Sequence, residues 1–222
     1  MIRINVNTIS RPYEALIEQA VLRSAGTYIR ELLPNAGRLF TITVAPTAIT
    51  PYLEVNGGAW QTTASATVQL TDLVNLGPQP LTGGSWSWTG PGGFTSTSRQ
   101  INSIPFTSVT NVFVATYTNP AGVTSTQTFT ITIAPTPITP YVQVDNGAWV
   151  SGNTIIVFLG SSVNLGPQPL TGSWSWTGPN GYTSTSRQIN NIPLSLGFDV
   201  YVVTYTNAVG IKSTETFTII AL

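Results

Sequence analysis

Cysteine and histidine are both missing from the 222 residues. Without cysteine there is no disulfide and no thiolate metal site. Without histidine the chain lacks the commonest general base and the commonest zinc ligand. Charge is scarce and balanced, with eight basic and eight acidic residues. That balance argues against nucleic acid, an anionic membrane or an acidic partner held by simple attraction. No apolar run is long enough to span a bilayer. The opening stretch, Met1 to Ser10, alternates polar and apolar residues and lacks the continuous hydrophobic stretch of a signal peptide.

What the chain does have is duplication. Ser85-Trp86-Ser87-Trp88-Thr89-Gly90-Pro91 returns as Ser173 to Pro179. Its flanks return with it: Val74 to Gly83 as Val163 to Gly172, and Thr95 to Asn102 as Thr183 to Asn190. A fixed spacing of this kind means one supersecondary unit copied in tandem. Each copy is long enough to bury a core of its own. The expected division is an N-terminal α/β segment at 1–45, repeat 1 at 46–134 and repeat 2 at 135–222.

The few charges are unevenly placed. Arg3, Arg11, Glu14, Glu18, Arg23, Arg30, Glu31 and Arg38 crowd the first 38 residues. The rest of the chain holds Glu54, Asp72, Arg99, Asp145, Arg187, Asp199, Lys212 and Glu215. The composition shifts at that point to threonine, serine, glycine and asparagine. Such a stretch is soluble through hydroxyls and amides, and points to an extracellular or cell-surface setting.

In the first part, Ile2, Ile4 and Val6 alternate with polar residues and predict a strand. Tyr13 to Ile17 predicts a second. Val21, Ala25, Ile29 and Leu32 share one helical face, which predicts a helix from about Gln19 to Leu33. Pro34 ends it, and Leu39 to Val44 predicts a strand. Phe40 to Tyr52 matches Phe129 to Tyr141, and Phe217-Thr218-Ile219-Ile220 repeats the start of that element. Residues 39–45 therefore read as the last strand of a preceding, truncated repeat.

Each full repeat reads as short strands divided by turn chemistry. Pro51 to Val55 runs into Asn56-Gly57-Gly58, a hairpin signal. Long β-branched runs at Val112 to Thr118 and Thr126 to Ile133 flank Asn119-Pro120-Ala121-Gly122. About seven strands per repeat, with turns every ~8–12 residues, predict an immunoglobulin-like sandwich. The expected fold class is mainly β: two tandem immunoglobulin-like β-sandwiches preceded by a small β-β-α-β N-terminal segment. The Ala45-Pro46-Thr47 and Ala134-Pro135-Thr136 links are short and proline-stiffened, which predicts modules set end to end.

Two resemblances accompany these readings. Arg11 to Glu18, the helix through Arg30-Glu31-Leu32-Leu33-Pro34 and the strand Arg38 to Val44 resemble the extreme N-terminus of 3-dehydroquinate synthase. The glycine-rich nucleotide segment and the metal ligands of that family have no counterpart here. The resemblance implies a local shape and no activity, and a natural recombination or a made chimera would both produce the junction. The two repeats resemble immunoglobulin-like or PKD-like modules that accompany catalytic domains in secreted bacterial polysaccharide-degrading enzymes, or occur in bacterial surface proteins. The Ser-Trp-Ser-Trp-Thr-Gly-Pro run, the Tyr-Thr-Asn-x-x-Gly turn and the Thr-Phe-Thr-Ile-Thr ending carry that likeness. Members often have a cysteine in the turn where Val123 and Ile211 stand here.

Catalysis is not expected. Serine and threonine nucleophiles find no histidine partner. Paired-carboxylate hydrolysis needs two acids in one site, yet Glu54 becomes Gln143 in repeat 2. Gly90-Pro91-Gly92-Gly93 lacks the lysine and helix of a phosphate cradle. Asp145 with backbone carbonyls leaves calcium open, although no EF-hand-like spacing exists. No cofactor and no metal site are assigned.

Aromatic residues are the better signal, because flat exposed rings stack on the apolar faces of sugars. Trp86 and Trp88 share one face of one strand, as do Trp174 and Trp176, and packing between the sheets is the favoured reading. Trp60 and Trp149 each follow a Gly-Ala turn; burial and exposure stand level for them. Phe94 and Tyr182 follow a glycine turn, either exposed or packed back over it. For Arg99 and Arg187, bonding to loop carbonyls is favoured over a ligand role. The candidate ligand residues are thus Trp60, Trp149, Phe94, Tyr182, Arg99 and Arg187. The function expected is a non-catalytic accessory module binding a polysaccharide. The alternative is a structural or adhesive β-sandwich protein, natural or chimeric, without a small ligand. One helix and two strands make too small a core alone, so the N-terminal helix is expected to pack either on the first sandwich or on another copy of itself, the second being self-association.

Overall fold

The computed structural model describes residues 2–6, 13–17 and 44–222. The predicted helix at about 19–33, its self-association, and all of the predicted 39–44 strand except Val44 lie outside those residues. Val44 and Ala45 are irregular. The two predicted N-terminal strands form: β1 (Ile2–Val6) pairs antiparallel with β2 (Tyr13–Ile17), Ile4 opposite Ala15. Among the described residues, no helix is long and apolar enough to cross a membrane.

Repeat 1 contains β3 (Leu53–Val55), β4 (Ser65–Val68), β5 (Val74–Leu76), β6 (Ser85–Thr89), β7 (Thr95–Ser96), β8 (Thr110–Thr118) and β9 (Thr124–Ile133). Five of these form a sheet in the order β4-β9-β8-β6-β7. The pairing is antiparallel except that β4 runs parallel to β9, Ala66 opposite Ile131. The second sheet is small. β3 pairs with β5, and bridges at Leu53–Gln61, Leu76–Ile101 and Thr50–Gln79 widen it. The chain thus begins in one sheet and crosses to the other at β4.

Repeat 2 copies the plan with β10 (Tyr141–Val144), β11 (Val150–Ser151), β12 (Thr154–Val157), β13 (Val163–Leu165), β14 (Ser173–Thr177), β15 (Thr183–Ser184), β16 (Gly197–Thr206) and β17 (Lys212–Ala221). Its sheets are β12-β17-β16-β14-β15 and β11-β10-β13. The fold is mainly β and immunoglobulin-like in each repeat.

The core follows from period-two alternation. Along β6 and β14 the burial pattern alternates exposed and buried, so both tryptophans of each strand point inward. Trp88 lies over Phe129 at 5.6 Å between ring centroids, and Trp176 over Phe217 at 5.5 Å. Trp86 packs on Tyr117 and Trp174 on Tyr205. The indole N–H of Trp88 donates to the Ser98 carbonyl, and that of Trp176 to Ser186, each at 2.8 Å. The core reading of these four residues holds. Two buried clusters result, one within 53–133 and one within 142–221.

The Tyr-Thr-Asn-x-x-Gly turn holds each linker. Buried Asn119 accepts the N–H groups of Ala121 and Val123, both at 3.0 Å, while its amide donates to the Ala45 carbonyl. Ser125 donates to the Thr47 carbonyl at 2.5 Å. In repeat 2, Asn207 accepts from Val209 and Ile211 and donates to the Thr136 hydroxyl; Ser213 donates to the Thr136 carbonyl at 2.6 Å. Val209 and Ile211 also pack on the core of repeat 1. Ile211 thus makes an apolar contact with the neighbouring repeat.

Candidate binding face

The site grows out of a hairpin. Asn56 and Gly57 both take positive φ, 53° and 70°, which suits the right-handed twist of a tight hairpin. Leu53 and Gln61 then exchange two backbone hydrogen bonds at 2.9 and 2.8 Å. In repeat 2, Asp145 and Asn146 take the same turn, with φ of 48° and 55°. There Tyr141 pairs with Ser151. The returning arm carries Trp60 in repeat 1 and Trp149 in repeat 2, each 38% exposed.

Leu53, Leu76 and Ile101 are buried members of the core. Their chain neighbours Tyr52, Gly77 and Gln100 must therefore face outward. Trp60 lies against this outer face, over Gly77. A methyl group on Gly77 would stand 2.9 Å from the indole Cη2, too close for any Cβ. The same holds at Gly166, where the distance to Cη2 of Trp149 would be 2.7 Å. Neither glycine has positive φ. Each glycine lets the six-membered ring of an indole come close to the backbone.

Around Trp60 the residues Tyr52, Gly77, Gln79, Arg99 and Gln100 line a shallow cleft of about 230 Å³. Arg99 donates from Nη1 to the Pro78 carbonyl at 3.0 Å, and Arg187 to Pro167 at 2.8 Å. Gln100 bonds Asn102, and Gln188 bonds Asn190. Further along the same face, Asn75 donates to Glu54 at 3.0 Å; in repeat 2, Asn164 donates to Gln143 at 2.8 Å. The outer face of the small sheet is thus one indole set in a field of amides and one guanidinium.

The structure brings Trp60 and Arg99 together. Arg99 and Arg187 make the carbonyl bonds that the favoured reading assigned them, with part of each side chain still accessible. Phe94 and Tyr182 stand apart from the cleft. Each is half-buried and packs edge-on over its turn, Phe94 against Phe113 at 5.6 Å and Tyr182 against Tyr201 at 5.5 Å. Asp145 spends one carboxylate oxygen on the Ser162 N–H at 2.8 Å. Among the described residues, no three His, Cys, Asp or Glu side chains gather as metal ligands would. Sequence reasoning missed Tyr52, Gly77, Gln79 and Gln100. The recurrence of Gly77 as Gly166, beside a recurring tryptophan, was the available signal.

No family model matches the chain. A 46-residue stretch, 21% of the chain, is 52% identical to 3-dehydroquinate synthase of Koribacter versatilis (strain Ellin345). The chain spans only 13% of the length of that relative. Among solved structures, the Bacteroides ovatus protein SGBP-B in complex with a mixed-linkage heptasaccharide is 9% identical. That match covers 77% of this chain and 70% of that one at a TM-score of 0.26. The fibronectin(III)-like modules of Clostridium thermocellum CbhA are 8% identical over 76% of this chain and 93% of theirs, at 0.26. Titin domains Z1Z2 with telethonin are 15% identical over 81% and 98%, at 0.32. At those scores nothing about ligands carries across.

Proposed function

We propose that residues 46–134 and 135–222 act as two non-catalytic binding modules, each presenting the outer face of its small sheet to a neutral polysaccharide outside the cell. The observation that carries this reading is an indole closed over a glycine in each repeat, joined in repeat 1 by an arginine and several amides in one cleft. A pyranose ring has an apolar C–H face that stacks on such an indole, while its hydroxyls bond amides and guanidinium edges. A shallow, open face suits one stretch of a long chain better than a small molecule, which needs a deeper pocket. The balanced charge suits an uncharged ligand.

A second reading, a structural spacer without a small ligand, is favoured by the linker clamps at Asn119 and Asn207. Affinity electrophoresis separates the two. The chain is run through gels containing β-glucan, xylan, mannan or starch. Binding predicts retardation in at least one gel, lost in the double variant Trp60→Ala/Trp149→Ala and kept in Phe94→Ala/Tyr182→Ala. No retardation in any gel would leave the spacer reading in its place.

A further inference from the structure

We infer that Glu54 sets the ligand range of the repeat 1 face: it turns away sugars that carry a carboxylate, while the repeat 2 face, with Gln143 in its place, accepts them. The inference rests on the reading of both faces as glycan sites and goes beyond it by separating the two. The faces share most of their parts. Trp60, Tyr52 and Gly77 recur as Trp149, Tyr141 and Gly166. They differ in the next row along each small sheet. Glu54 stands opposite Asn75, and Gln143 opposite Asn164. Each follows its tyrosine by two residues, so it projects from the same side of the sheet. Two residues of strand span about 7 Å. That is a step on the scale of one further sugar in a chain laid over the tryptophan.

Hydrogen bonding fixes what each row offers. Half-buried Glu54 accepts the Asn75 amide on Oε2 at 3.0 Å. Its Oε1 takes no hydrogen bond among the described residues, so it keeps an open acceptor and a full negative charge. Gln143 spends its amide on the protein. Its Oε1 accepts from Asn164 at 2.8 Å, and its Nε2 donates to the Gly147 carbonyl at 2.7 Å. The guanidinium groups differ in the same sense. Arg99 gives Nη1 to Pro78 and Nη2 to Gln100, the latter at 3.4 Å. Arg187 gives Nη1 to the Pro167 carbonyl, and its Nη2 has no acceptor among the described residues. Pro167 follows Gly166, the glycine that Trp149 covers, which sets this guanidinium near that indole. A carboxylate on a bound sugar is a fitting acceptor for it.

The other charges leave this difference standing. Each hairpin end carries one carboxylate: Asp72, bonded to Asn56 in repeat 1, and Asp145 within the turn of repeat 2. Asp199, Lys212 and Glu215 belong to the large sheet of repeat 2. The two small-sheet faces thus differ by the one charge of Glu54. A like charge set against an unwanted ligand lowers its affinity without helping the wanted one. At a partly exposed site that effect fades as salt screens it.

Isothermal titration calorimetry on single-face variants of the full chain decides. Trp149→Ala leaves the repeat 1 face, and Trp60→Ala leaves the repeat 2 face. Each is titrated with soluble β-glucan, xylan, mannan and starch, native and lightly carboxymethylated, at low and high sodium chloride. At low salt, Trp149→Ala is expected to bind the native form at least about threefold more tightly than the carboxymethylated one. Trp60→Ala is expected to bind the carboxymethylated form at least as tightly as the native. Adding Glu54→Gln to Trp149→Ala should abolish the discrimination. That change copies Gln143 and keeps an acceptor for Asn75, so the fold is preserved. Adding Gln143→Glu to Trp60→Ala should create the discrimination, and high salt should erase it. Equal binding of both forms by the repeat 1 face overturns the inference and leaves glycan binding in place. Discrimination that survives Glu54→Gln or high salt, or that the repeat 2 face shares, overturns it too. A wild type that binds no native polysaccharide overturns the reading of the faces as glycan sites, and this inference with it.

Discussion

Trp174 and Trp176 sit two residues apart on one strand and face the same core, yet their indole nitrogens fare differently. Trp176 donates to the Ser186 carbonyl, whereas the buried Nε1 of Trp174 has no partner among the described residues. A buried unpaired donor forfeits its hydration without return. Trp176→Phe therefore loses a bond that Trp174→Phe does not, and should cost about 1 kcal/mol more. Urea unfolding midpoints of the two variants check the order. Tyr201 makes a second residue-scale case. Burial pushes its phenol from 10.0 up to about 12, with Asp199 and Tyr182 adding to the rise. Its hydroxyl donates to the Pro193 carbonyl at 2.7 Å. The folded state holds this proton more tightly than the unfolded state. Its contribution is thus complete below pH 10 and is lost as pH rises from 10 to about 12. The loss should be of the order of 2 kcal/mol. Tyr201→Phe, which copies Phe113 of repeat 1, should flatten that alkaline decline relative to wild type. Unfolding measured across that range shows whether it does.

At the scale of single elements, the tight hairpin is what places the tryptophan proposed to meet the ligand. Its turn was legible in Asn56-Gly57-Gly58, and the strands were legible in their β-branched alternation. The face was not legible, because Tyr52, Gly77 and Arg99 come from three segments joined by long-range pairings such as Leu53–Leu76 and Leu76–Ile101. Nor was the crossover at β4: its partner β9 lies far along the chain, and parallel pairing leaves no local mark. Trp60 stood undecided between core and surface for the same reason. It lies on the backbone of Gly77, so it is neither inside the core nor free of the protein. Gly77→Ala and Gly166→Ala test this element directly. Neither site needs glycine for its backbone, but an added Cβ must push a partly buried indole aside, so each change should also cost about 1 kcal/mol of stability. The displaced indoles should weaken gel retardation several-fold. Retardation unchanged in the double variant would mean that the close seat of the ring on glycine is irrelevant to binding.

For the molecule as a whole, the duplication sets two like faces on one chain and joins them by a clamped link. Legibility was greatest here, since the recurrence of Ser-Trp-Ser-Trp-Thr-Gly-Pro announced two units, and two separate cores are found. The Tyr-Thr-Asn-x-x-Gly motif was visible but its work was not: the asparagine closes its own turn and grips the linker tens of residues away. A 46-residue stretch shares its wording with a synthase, of whose length the chain spans 13%. The claim on which the functional account rests is that two tryptophans, and not the other four, meet the ligand. The indole N–H resonances of the six tryptophans, followed by NMR during titration with the polysaccharide retained in gels, test it most directly. The account predicts that the Trp60 and Trp149 signals shift and saturate together while those of Trp86, Trp88, Trp174 and Trp176 stay in place. Unmoved Trp60 and Trp149 signals under a ligand that demonstrably binds would contradict it.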